Sequence, residues 1–173
     1  MADSRKPQAA LRSAAVGLRL PLPYRLFFLL VEPCSALAGT YYAHFAQRTY
    51  LELTDAASLP VDAVIPRGGS IVLDQLANLY LFFALAEALV LRSTADLRVW
   101  RALLLCMLVA DAGHLYSVRA AGAPEIYWSV GRWNAIDWGN IPFVYLGASM
   151  RIAFLAGVGL GGGTEAAGQK RAA

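Results

Sequence analysis

Asp111 and His114 stand three residues apart inside an apolar run. A carboxylate beside an imidazole is an arrangement that moves protons. At i, i+3 the two share one helix face, which Ser117 continues. Asp74 and Asn78, spaced i, i+4, share a face in a second apolar run that also carries Gln75. Glu32, followed by the helix-disturbing Pro33, lies in a third, and Arg151 in a fourth is the residue placed to balance it. Asp137, Trp138 and Asn140 come near the start of that fourth run. A charge at the centre of a bilayer costs about 3 kcal/mol on insertion scales, so intramembrane carboxylates face a partner, a cavity or a reaction.

The chemistry open to this set is acid–base. Asp111, His114, Asp74 and Glu32 are the catalytic candidates, and Asn78, Asn140, Trp138 and Arg151 are candidates to position substrate or water. Each has a structural reading beside the functional one. Asp74 can sit on a positive helix N-terminus, Asn140 can serve as an N-cap, and Glu32 with Arg151 can be a buried structural pair. Glu87 is expected to meet water or Arg92, and His44 to lie at an interface. No metal or cofactor is expected: neither His-Glu-x-x-His nor Cys-x-x-Cys occurs, and the carboxylates are scattered. Gly161-Gly162-Gly163 leads into a tail rather than a helix, so it forms no phosphate loop.

The elements that must carry these residues are membrane helices. The 173-residue chain is 58% hydrophobic with a mean hydropathy of +0.48, too apolar for an ordinary soluble domain. Runs at 24–45, 71–91, 100–118 and 140–160 are each roughly 20 residues, enough to cross a ~30 Å hydrocarbon core. They show no period-2 alternation, so the expected fold is an all-α integral-membrane bundle of four transmembrane helices. Cys34 and Cys106 fall inside the spans and read as small buried apolar residues.

The net charge of +3 belongs to tails and short loops, which speaks against a nucleic-acid partner. Arg5, Lys6, Arg12, Arg19, Arg25, Arg92, Arg98, Arg101, Lys170 and Arg171 fall on one side of four spans. Arg48, Arg67, Arg119 and Arg132 fall on the other, so both termini are expected in the cytosol. Residues 1–23 then form a basic cytosolic tail, 24–160 the membrane domain and 161–173 a disordered Gly/Ala-rich tail. Ala36-Leu37-Ala38 resembles a signal-peptide cleavage site, but the apolar run continues well past it, so a retained span is expected. The 47–70 and 119–139 loops share the opposite side and are expected to form a cap. Tyr24, Tyr41, Tyr42, Trp100, Tyr116, Trp133 and Trp138 cluster near span ends, as interfacial anchors do.

Several of these segments carry a likeness. Pro23-Tyr24-Arg25-Leu26-Phe27-Phe28 leading to Glu32-Pro33, then Leu73-Asp74-Gln75-Leu76, Asp111-x-x-His114 and Asp137-Trp138-x-Asn140 resemble a group of small fungal multi-pass membrane proteins. That group is similar to the membrane hydrolases of aurovertin- and citreoviridin-type polyketide pathways, which open polyene-derived epoxides. A looser similarity extends to integral-membrane terpene cyclases and four-helix sterol isomerases. The tails and the acidic first loop contribute nothing to it.

The resemblance implies an epoxide hydrolase of secondary-metabolite biosynthesis acting on a lipophilic substrate, in the endoplasmic reticulum membrane. In that role Asp111, steered by His114, or Glu32 would be the acid, and Asp74 with Asn78 and Asn140 would hold and deprotonate water. Aromatic residues would line a tunnel for a lipid-soluble polyene. A cyclase or isomerase without net water addition, and a non-catalytic lipid- or sterol-binding protein, are the alternatives. A channel or transporter would need a homo-oligomer, and no inverted repeat supports one.

Overall fold

The computed structural model describes residues 20–59, 62 and 64–160; the tail residues up to 19 and from 161 onward lie outside the described residues. The described residues are largely helical and contain no strand. Helix α1 runs Leu22–Phe45, α3 Arg67–Ser93 and α4 Leu97–Ala121, and all three are long and apolar enough to cross a membrane. Helices α2 (Gln47–Thr54), α5 (Ala135–Asn140) and α6 (Pro142–Leu155) are shorter.

The run at 140–160 is not one long helix. Proline has no amide to donate, and Pro142 separates α5 from α6 at Ile141, whose φ is −119°. Backbone bonds bridge the break: Ile141 N–H donates to the Asp137 carbonyl at 2.9 Å, and Tyr145 N–H to Ile141 at 2.9 Å. The 14 residues of α6 cover about 21 Å, short of a hydrocarbon core. Beyond Leu155 the chain turns at Gly157, with φ +80°, a conformation that glycine adopts without steric cost.

The long helices pack mainly in two pairs, α1 along α3 and α4 along α6. Tyr80 lies against Gly39, where a Cβ would come within 3.1 Å of its ring, and this lets the backbone of α1 approach α3. At one end the pairs are joined by an aromatic core. Trp100 stacks on Phe154 at 5.7 Å and Tyr24 meets Phe154 edge-on at 5.2 Å. Ring contacts of this kind add to the burial of large apolar area.

The Tyr24 hydroxyl donates to the Val158 carbonyl at 2.9 Å, which brings both ends of the described bundle to the same end of the molecule. Tyr24 and Trp100, expected as interfacial anchors, are therefore buried core residues, because their polar tips find carbonyl partners at Val158 and Thr94. Cys34 and Cys106, expected inside, are exposed on the outer surface of the bundle.

At the other end, part of the expected first loop is helical. Helix α2 and α5 meet there as a cap: Asn134 Nδ2 donates to the Leu53 carbonyl at 2.6 Å. The same Asn134 closes a capping box on α5, accepting from Ile136 and Asp137 amides while Asp137 accepts from the Asn134 amide. The N-cap is thus Asn134; Asn140 is the last residue of α5.

Candidate functional site

The site grows from Arg151 on α6, which is 2% exposed. Its Nη1 donates to Asp111 Oδ2 of α4 at 2.8 Å, and its Nη2 pairs with Glu32 Oε1 of α1. Glu87 of α3, fully buried, brings Oε1 to 3.6 Å from the same Nη2. One guanidinium therefore gathers a carboxylate from each of the three membrane-length helices. The pairing of Glu32 with Arg151 matches the sequence expectation. Glu87 does not: it turns inward to Arg151, while Arg92 donates to the Leu29 carbonyl.

Local helix geometry explains the convergence. Phe27–Val31 and Ala86–Val90 are both π-helical, and the two stretches touch. A π turn widens the helix and shifts the register of the residues beyond it, and such turns recur at functional sites. Here one immediately precedes Glu32 and the other contains Glu87. Arg92 satisfies a carbonyl of the first stretch, so the departure from α geometry is supported by a cross-helix bond.

Gly147 lies one turn before Arg151, and a Cβ there would stand 2.7 Å from Arg151 Nη1. The guanidinium folds back over this bare position. Gly147→Ala is accordingly expected to push the guanidinium off Asp111 and lower stability by about 1–3 kcal/mol, the usual cost of overpacking. Thermal unfolding of the detergent-extracted variant measures it; an unchanged midpoint would mean that Arg151 does not depend on that space.

Between the helix pairs, the carboxylate cluster forms the floor of a cavity of about 330 Å³. Glu32, Asp111 and Arg151 face it from below, and its walls are largely apolar, with Ala36, Phe83, Met107, Ala110, Phe143 and Val144. Pockets of this size and lining, with a few convergent polar groups, suit small lipophilic ligands. His114 and Asn140 border the far end together with Tyr50 and Tyr80, whose hydroxyls are 3.1 Å apart. Glu87 lies behind the floor rather than on it. His114 Nε2 and Arg151 Nε are buried without a hydrogen-bond partner, and the Glu87 carboxyl, behind the floor, is hydrogen-bonded to that of Glu32. An unpaired buried polar atom is costly, so His114 Nε2, on a residue that borders the cavity, is placed to meet a ligand.

The eight candidates from the sequence divide cleanly. Glu32, Asp111, His114, Asn140 and Arg151 line the cavity. Asp111 and His114 share a face as expected, but no hydrogen bond joins them; Asp111 turns to Arg151 and the imidazole lies beside the Asn140 backbone. Asp74 is outside, paired with His44 Nδ1 at 2.9 Å and with Gln47 Nε2 at 3.0 Å, near the cap. Both members of the His44 contact are about half exposed, where polar side-chain contacts contribute little. Asn78 is exposed, and Trp138 is 52% exposed against Trp133.

Glu87, Tyr50 and Tyr80 are the participants that sequence reasoning passed over. Tyr80 and Glu87 are seven residues apart, two helical turns on one face with Phe83 between, a spacing that pairs them on the α3 stripe facing inward.

No curated protein and no solved structure matches the chain. A match over residues 17–161, which spans all six helices and the cluster they build, is to the domain of unknown function DUF7704, and the chain belongs to that family.

Proposed function

We propose that the protein is a membrane-embedded acid–base enzyme that opens an epoxide of a lipophilic polyketide or terpenoid intermediate by adding water. The observation that carries this reading is the group of three carboxylates on a single buried guanidinium, at the floor of an apolar cavity. One positive charge balances one negative charge. Leaving two further anions in apolar surroundings would cost several kcal/mol each, so charge balance favours protons held among these acids. A protonated carboxyl facing an apolar cavity is the donor that epoxide opening requires.

The step balances without a further reactant. Asp111 or Glu32 gives its proton to the epoxide oxygen as the C–O bond breaks, and a water oxygen bonds to the carbon from the opposite side. That water loses a proton to His114, whose Nε2 is unpaired at the same cavity. Transfer of this proton back to the carboxylate restores the resting state and leaves a vicinal diol. Asp74 and Asn78, away from the cavity, have no part in this scheme; Asn140 and Arg151 orient the participants. Glu87 serves the cluster's charge from behind.

Helices α5 and α6, linked across Ile141 by backbone bonds, together make the fourth crossing, and the basic segments set both termini in the cytosol. The substrate enters from the bilayer and the membrane is that of the endoplasmic reticulum.

Membranes carrying the protein, incubated with a polyene epoxide in oxygen-18 water, test the reaction class. One solvent oxygen per diol is expected. Conversion without solvent oxygen would move the assignment to a cyclase or isomerase, and ligand retention without conversion to a lipid- or sterol-binding protein.

A further inference from the structure

Beyond the Tyr50–Tyr80 pair lies a second cavity of about 230 Å³, reaching Asp55, Ser117, Ala120 and Ala121 at the cap. Tyr50, Tyr80, His114 and Asn140 border both spaces. The two are therefore adjoining chambers, and the residues they share stand between them. Their linings differ. The inner chamber has apolar walls above a charged floor and opens past exposed Ala38 and Tyr42 of α1 and Ala135 and Gly139 of α5, whereas the outer one is bordered by exposed Ser117, Ala120 and Ala121 of α4.

Tyr80 is fixed by its seat on Gly39, while Tyr50 comes from the short helix α2, outside the membrane-length helices. Burial pushes the Tyr50 phenol above its ordinary range, and its bond to Tyr80 only partly offsets this, so it stays neutral at physiological pH. A neutral hydroxyl pair can break and re-form for a passing water without creating charge.

We infer that the Tyr50–Tyr80 pair is a water gate: the outer chamber brings water from the cap to the wall that contains His114, the pair controls its passage into the inner chamber, and the lipophilic substrate reaches that chamber by the opening past Ala38 and Tyr42. This rests on the proposed hydrolysis for its purpose but not for its geometry. It makes Tyr50 and Tyr80 positioning residues, acting on the supply of water rather than on the reacting carbon.

The test uses single cysteines in the full chain carrying Cys34→Ala and Cys106→Ala, labelled in membranes with a charged, membrane-impermeant methanethiosulfonate. Ala121→Cys, in the outer chamber, should react quickly in every background. Ala110→Cys, in the inner chamber, should react slowly while the tyrosines are intact. Tyr80→Phe should speed it roughly three- to tenfold, the range set by the net strength of one neutral hydrogen bond. Tyr50→Ala, which also removes the ring, should speed it by about tenfold or more.

Unchanged Ala110→Cys labelling in both tyrosine variants, with Ala121→Cys labelling preserved, would overturn the gate. So would an Ala110→Cys rate equal to that of Ala121→Cys at the start. Because labelling needs no turnover, gated labelling of a protein that opens no epoxide would sink only the hydrolysis, and ungated labelling of an active one only the gate.

Discussion

Arg151→Gln is expected to be the most damaging single substitution in the chain, lowering the stability of the extracted protein by about 3–5 kcal/mol. The neutral amide removes the one positive charge that Glu32, Glu87 and Asp111 share, and leaves their oxygens unpaired in a site that is 2% exposed at its centre. Glu32→Gln alone should cost less, because Asp111 and Glu87 still balance the guanidinium. The double variant should lose less than the two single losses added, since groups in one ion-pair network are coupled. Denaturant or thermal unfolding of all four proteins in one detergent measures the coupling. Strict additivity would mean that the two residues act separately, and the charge argument for held protons would fall with it.

The helical character and the membrane-length runs were legible in the sequence because they depend on run length and hydropathy, which need no tertiary information. The Glu32–Arg151 pair was legible for a related reason: an isolated charge inside a span needs a partner, and few were on offer. Asp111 was found by the same logic, but its partner was misjudged. Spacing at i, i+3 places His114 on its face, yet a short aspartate reaches more readily toward a long arginine from the facing helix.

Other misreadings have equally local causes. Glu87 looked interfacial because it is near the end of an apolar run; the π turn at Ala86–Val90 and the extension of α3 to Ser93 place it deep inside. Asp74 looked catalytic because carboxylates in spans are rare, but it sits near the cap with His44 and Gln47 in reach. Tyr50 lay in a segment read as loop, so nothing in its periodicity pointed to Tyr80. The break at Ile141–Pro142 was hidden in an apolar stretch whose composition alone suggested a continuous span.

The most direct measurement is the single-turnover rate of Asp111→Asn in membranes supplied with a polyene epoxide, normalised to folded protein. The substitution keeps shape and one hydrogen-bond acceptor for Arg151 while removing the carboxyl that the proposed reaction uses as its acid at the cavity floor. A loss of at least ~100-fold in the chemical step is expected, the lower range for positioned acid–base catalysis, with abundance and substrate retention changed far less. Undiminished turnover by Asp111→Asn and by the matching Glu32→Gln would contradict the account, because no carboxyl facing the cavity would then be needed as the acid.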